Sequence, residues 1–222
     1  MYSAIPAGRL DQCLADAAAS PFSRGTRRYP RWYLRRWHYL PEGYLSRRSA
    51  ALYEAFVPRA YNTGRERAII AHVARAVAAT APSSALEMGC GPGHLLGALA
   101  DALQGATLAG ADLSPFMLEL AAGDPRVAET GRVTLYHGDA RALPWDDATF
   151  DAVVAMHLVA HVPPKVARGL MEEAARLLRP GGTLLVADHR WHRAPAHPGL
   201  VNAGREQVPP GIIHVVRYQK RL

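Results

Sequence analysis

Apolar positions change their period twice along this chain of 222 residues. The stretches Ser46–Tyr61 and Gly64–Thr80 read as helices, with Ile69, Ile70, Val73 and Val77 at helical spacing in the second. From Ser84 onward, short apolar runs alternate with helical stretches. Ala85–Met88, Ala106–Ala111, Val133–Tyr136, Ala152–Met156 and Thr183–Ala187 read as strands. His94–Leu103, Pro115–Ala122 and Pro164–Leu178 read as the helices between them. Strands separated by helices mean βαβ units and a parallel sheet. After Asp188 the helical period is lost, because Pro195 and Pro198 break the stretch from His189 to Gly199. Leu200–Val208 and Ile212–Gln219, joined by Pro209-Pro210-Gly211, then read as a β-hairpin. Near the start, Pro30 and Pro41 bracket a stretch that reads as a short amphipathic helix.

Composition narrows the class. Hydrophobic residues at 49% and charged residues at 20% are ordinary globular values, which excludes disordered and fibrous chains. No apolar run approaches the ~18 residues of a membrane span. The first twenty residues carry Arg9, Asp11 and Asp16 and lack the apolar block of a secretory signal. Cys13 and Cys90 are too few for a disulfide framework or a zinc cage. No metal is therefore expected, and a cytoplasmic setting is the default.

Charge is distributed unevenly. Residues 1–68 hold 12 arginines against 5 acids, which accounts for the whole formal excess of +7, while the rest of the chain balances 14 against 14. We therefore divide the chain into a basic, aromatic-rich cap over residues 1–63 and a neutral domain over 64–222. In the cap, Arg27, Arg28, Arg31, Arg35 and Arg36 interleave with Trp32 and Trp37. One reading is peripheral contact with an anionic membrane, guanidinium groups at lipid phosphates and rings at the headgroups. The other packs the rings on the core and leaves the arginines solvated. No RNA-reading module accompanies the basic stretch, so nucleic acid is not the expected partner.

The candidate chemistry begins at Ala85-Leu86-Glu87-Met88-Gly89-Cys90-Gly91-Pro92-Gly93-His94, a strand running into a glycine-rich turn that opens a helix. Glycines there let a ligand approach the backbone, with N–H groups free at a helix N-terminus. A dinucleotide fingerprint wants a glycine where His94 stands. Glu87 would repel a pyrophosphate and favour a cationic ligand. Both departures disfavour a nicotinamide-dependent oxidoreductase. The second strand ends in Asp112, where a carboxylate can accept from both hydroxyls of a ribose. Gly138-Asp139-Ala140 follows the third strand, with a side-chain acceptor and a backbone N–H suited to an adenine edge. Either acid could instead serve as a helix N-cap.

With these residues, the stretch from 84 to 188 resembles the core of a class I S-adenosylmethionine-dependent methyltransferase of the ubiquinone/menaquinone-biosynthesis type. LEMGCGPG (86–93), GADLSPFML (110–118), GDARALPWDDATFDAVV (138–154) and LLRPGGTLLVAD (177–188) carry the resemblance. It implies an α/β Rossmann-like sheet of seven strands, mostly parallel, with an antiparallel C-terminal hairpin. It also implies contacts to S-adenosylmethionine, or to the product S-adenosylhomocysteine, from Glu87, Gly89, Cys90, Gly91, Gly93, Asp112, Leu113, Met117, Asp139, Ala140, Met156, His157 and Tyr61. The helix bearing Tyr53 and Tyr61 would cap the methionine half. Candidate side chains for the transfer step are Tyr53, Tyr61, His157, His161 and His189, at the sheet edge where such folds bind ligands. FDAVVAMHLVAHVPP (150–164) and REQVPPGIIHVVRYQKR (205–221) look like segments of bacterial phospholipid N-methyltransferases, which implies a lipid headgroup such as phosphatidylethanolamine as acceptor. A soluble quinone or secondary metabolite, or a catalytically silent cofactor-binding partner, are the alternatives.

Overall fold

The computed structural model describes residues 3–24, 28–37, 40–60, 64–189, 193–209 and 211–222, without the side chains of Pro58 and Ala60. Helix α1 spans Ala7–Ala18, α2 Arg47–Ala60 and α3 Glu66–Ala78. Then β1 (Ser84–Met88), α4 (His94–Ala102), β2 (Thr107–Asp112), α5 (Pro115–Ala122), α6 (Pro125–Ala128) and β3 (Val133–His137) follow. The chain closes with β4 (Phe150–Met156), α7 (Pro164–Leu177), β5 (Leu178–His189), β6 (Leu200–Val208) and β7 (Ile213–Lys220).

The seven strands form one sheet in the order β3-β2-β1-β4-β5-β7-β6. Pairings from β3 to β5 are parallel, and β7 runs antiparallel to both its neighbours. This is the expected mostly parallel sheet with its C-terminal hairpin. Every residue of β1 is buried, as a parallel strand covered on both faces must be. On one face Ile69, Val73 and Val77 of α3 and Leu96 and Leu99 of α4 pack against Ala85, Leu108, Val154 and Leu185. On the other, Leu170, Met171 and Ala174 of α7 cover Leu86, Val153, Leu184 and Val186. The chain runs outward from β1 through β2 to β3 and then returns to the other side of β1 as β4, so a crevice for ligands opens where the order reverses, at the C-terminal ends of β1 and β4.

Two elements of the N-terminal segment differ from the sequence reading. The stretch between Pro30 and Pro41 forms no helix in its described residues. Residues 31–33 turn, Arg35 bridges Ala4, and Trp37 bridges Leu40. Tertiary contacts override local propensity here, because Tyr33 and Trp37 are drawn inward while Arg35 and Arg36 stay in solvent. Conversely, α1 forms from a stretch without helix assignment, burying Cys13 and Ala17. No helix among the described residues is long and apolar enough to cross a membrane.

Candidate active site

The turn after β1 is shaped by backbone. Gly89, Gly91 and Gly93 have φ of +71°, +52° and +82°, left-handed values that favour glycine. The N–H groups of Gly89 and Cys90 donate to the Ala111 carbonyl at 2.7 and 3.0 Å, tying the turn to β2. A Cβ on Gly91 would meet nothing within 4 Å, because open space lies beside it. A Cβ on Gly93 would fall 2.9 Å from Ala121 Cβ. Gly93 therefore lets α4 pack against α5, and it does not border the cavity as the resemblance implied. Cys90 is buried, and burial followed by the nearby carboxylates pushes its thiol up, which suits packing rather than nucleophilic attack.

About 1170 Å³ of space, open at its mouth, lies over the C-terminal ends of the strands. Glu87, Gly89, Cys90, Gly91, Asp112, Leu113, Met117, Asp139, Ala140, Met156 and His157 border it, as do Tyr53 and His161. Tyr61 lies outside the described residues. Asp112 accepts from Gly91 N and Ser114 N, both at 2.8 Å. Ser114, not Asp112, caps α5 by accepting from Met117 N. Asp139 caps no helix either: its carboxylate takes both Nε and Nη2 of Arg141, at 3.0 and 2.6 Å. Glu87 is buried, and its Oε2 has no hydrogen-bond partner among the described residues. Burial first, and then Asp112, push its carboxyl well above the usual range. A buried carboxyl with one oxygen unpartnered at the cavity edge suits a cationic or hydrogen-bond-donating group.

The roof is aromatic and comes from the basic segment. Trp32, Tyr33, Trp37, Tyr44 and Tyr53 all border the cavity. Tyr33 stacks on Tyr44 at 6.3 Å, Trp37 lies 6.2 Å from Tyr44, and Trp32 meets Trp37 edge to face at 6.5 Å. Trp37 is buried and Trp32 half-buried, so these indoles are turned to the cavity rather than presented to lipid headgroups. Arg28, Arg31, Arg35 and Arg36 are exposed; Arg27 lies outside the described residues. Long-range polar contacts fix this roof. Tyr29 Oη meets His137 Nε2 at 3.3 Å, and Arg47 pairs with Glu119 of α5 at 2.8 Å. Glu42 gathers Ser46, Ser49 and Arg9.

The wall opposite Asp139 is polar. His157, just beyond β4, sits at φ +51°, and its Nε2 lies 3.2 Å from Glu66 Oε1. Its ring is 5.7 Å from that of His189. His157, His189 and Asp188 could together hold a metal ion. His161 faces Trp37 at 6.3 Å. Glu54 of α2 reaches His94 at 3.0 Å, so the cap touches the start of α4. Glu66 and, apart from Tyr53, the rings of the aromatic roof were not among the expected cofactor or transfer residues. Glu66 looks like an ordinary first-turn acid, and nothing local marks it as buried.

This strand order, with a glycine turn after β1 and acids at the ends of β1 and β2 beneath a covered cavity, is the class I S-adenosylmethionine-dependent methyltransferase fold. Residues 85–182 match the methyltransferase domain family. It is 35% identical over 143 residues to a demethylmenaquinone methyltransferase of Clavibacter sepedonicus, covering 64% of this chain and 56% of that protein. It is 34% identical over 143 residues to a 27-O-demethylrifamycin SV methyltransferase of Amycolatopsis mediterranei, covering 62% and 51%. The chain thus spans about half the length of these curated relatives. The N-methyltransferase NodS of Bradyrhizobium japonicum, solved with S-adenosylhomocysteine, superposes with a TM-score of 0.61 over 78% of this chain and 97% of that one. At 18% identity that likeness is one of fold. S-adenosylmethionine is the cofactor of this domain class, and the open face of Gly91 and the orphaned oxygen of Glu87 fit it.

Proposed function

We propose that this chain transfers the methyl group of S-adenosylmethionine to a small organic acceptor of the quinone or secondary-metabolite class. The observation that carries the reading is a cavity with an unpartnered carboxyl oxygen of Glu87 in its floor and aromatic rings for a roof. In this reading Asp112 takes the ribose hydroxyls, and Asp139 with Ala140 meets the adenine edge. Glu87 faces the charged methionine end, and Gly89 and Gly91 let the cofactor approach the backbone. Leu113, Met117 and Met156 supply apolar contact.

The cofactor brings an activated sulfonium methyl group, so the chain's task is placement. Holding an acceptor atom about 3 Å away and in line supplies most of the rate. Tyr53, His157 and His161 border the acceptor end, with Tyr61 following on the same chain segment. Residues 1–63 act as the cap that excludes water, and residues 64–222 act as the catalytic domain. The names of the two relatives support an acceptor of this kind. A phospholipid headgroup is the second reading, favoured by the exposed Arg28, Arg31, Arg35 and Arg36.

The test is incubation with methyl-labelled S-adenosylmethionine and a panel of quinols, hydroxylated polyketides, amines and phosphatidylethanolamine vesicles. Label in a soluble hydroxylated or quinol acceptor is the expected result. Label only in the vesicles would move the assignment to the lipid reading. Cofactor binding with no transfer to any acceptor would make the chain a silent binding partner.

A further inference from the structure

Beside the cavity, three metal-binding side chains meet where β4 and β5 end. One imidazole nitrogen each from His157 and His189 and a carboxylate oxygen of Asp188 lie within 4.8 Å of one another. His189 Nδ1 and Asp188 Oδ1 are 3.7 Å apart. That is an ion-pair separation, and it also matches the roughly 3–4 Å between two ligands of one ion at bond lengths near 2.1 Å. The group is withdrawn from solvent: the side chains of His157, Asp188 and His189 are 15%, 6% and 12% exposed.

Two further observations organise it. Glu66 Oε1, itself on a side chain 9% exposed, lies 3.2 Å from His157 Nε2. A carboxylate behind an imidazole fixes the ring's orientation, the arrangement found behind metal-bound histidines. On the far side, Ala160 N and His189 N donate to Asp188 at 2.7 and 3.0 Å. These bonds fix the carboxylate and leave lone pairs on its oxygens. His157 is also held at a left-handed φ by donating its N–H to the Ala187 carbonyl at 2.9 Å. Such conformations persist where the surroundings over-determine them.

We propose that His157, Asp188 and His189 form a site for one divalent transition-metal ion, with Glu66 orienting His157 from behind. Two imidazoles and a carboxylate suit zinc, cobalt, iron or nickel, and do not suit magnesium or calcium, which prefer oxygen donors. The ion joins the ends of two strands next to the acceptor wall, one imidazole ring from the cavity. This goes beyond methyl transfer and does not depend on it.

The test uses the full chain, untagged, stripped with a chelator and titrated with Co²⁺ and then Zn²⁺. One Co²⁺ per chain, with the absorption of a nitrogen-coordinated ion and displacement by Zn²⁺, is expected. Asp188→Asn and His189→Ala should each abolish binding at micromolar Co²⁺. Glu66→Gln should weaken it about 10- to 100-fold with the stoichiometry unchanged, whereas His197→Ala should leave it as it was. In the wild-type protein, Co²⁺ should broaden the ring NMR signals of His157 and His189 before those of other histidines, a readout that needs no variant to fold. Absence of Co²⁺ binding at about 1 mM, broadening that spares these two rings, or binding that survives both substitutions would overturn the site. S-adenosylmethionine binding, followed separately by calorimetry, tells failure of this site from failure of the methyltransferase reading.

Discussion

Glu42 under the roof and Glu87 in the floor are equally buried, each 3% exposed, and their surroundings are opposite. Glu42 accepts from Ser46 Oγ at 2.9 Å, Ser49 Oγ at 3.0 Å and Arg9 Nε at 3.1 Å. Burial pushes its carboxyl up, and these partners outweigh burial, so it is held below the ordinary range. Glu87 keeps an oxygen without a partner, and burial together with Asp112 holds it well above that range. A buried charge whose bonds are all made within the protein is part of the architecture. One left short is made good by something that arrives. The roof is thus fixed by internal bonds and the floor is prepared for a ligand.

Breaking the Glu42 hub should have the largest effect on stability. Glu42→Ala should cost about 1.5–3 kcal/mol, the worth of hydrogen bonds to a charged group. Each kcal/mol should lower Tm by about 2–4 °C in a chain of this size. The pH dependence has a definite sign. A folded pKa below the unfolded value stabilises above the unfolded glutamate pKa of about 4.3, and this is lost as pH falls through the folded value. Thermal melts of wild type and variant should therefore converge in acid.

In the floor, substitution should act on binding instead. Asp112→Asn should weaken S-adenosylmethionine roughly 5- to 150-fold, corresponding to about 1–3 kcal/mol for a buried diol deprived of its acceptor. Unchanged affinity by calorimetry would remove Asp112 from the ribose. Glu87→Gln should separate the two glutamates most sharply. It removes the cost of holding a buried carboxyl protonated, so the free protein should melt about 2–4 °C higher, for a gain of about 1 kcal/mol, while cofactor binding weakens. A lower Tm would place Glu87 with Glu42 as a structural acid. The smallest effect belongs to the exposed arginines. Reversing charge at Arg31 and Arg35 should change stability by no more than about 0.5 kcal/mol and leave cofactor affinity unaltered. If the protein binds phosphatidylglycerol vesicles at low salt, the same change should abolish that association.

The floor was legible because its instructions are local. Glycines with positive φ, an acid before them and an acid at the next strand's end stand within short stretches of sequence, and alternating runs such as Ala85–Met88 set the strands that carry them. Trp32, Tyr33 and Trp37 were visible as aromatic, but whether they face water or the cavity depends on remote partners such as His137 and Glu119. Interleaved arginines fit either orientation. Glu66 was hidden for the same reason, since its partner His157 is brought to it only by the sheet. Helix α1 carries a readable period at Leu10, Cys13 and Ala17, but its N-cap is Pro6, which offers no capping side chain to announce it.

The most direct test of the account is calorimetry of S-adenosylmethionine binding in buffers of different ionisation enthalpy. The carboxyl of Glu87 is held high in the free protein by burial and by Asp112, with the Cys90 thiol, also pushed up, nearby. A cationic ligand beside it favours the ionised form, so binding should release protons and affinity should rise with pH through the raised Glu87 pKa. The account predicts one S-adenosylmethionine per chain, with proton release that Glu87→Gln removes. Proton uptake, release undiminished in the variant, or tighter binding of NAD than of S-adenosylmethionine would contradict it.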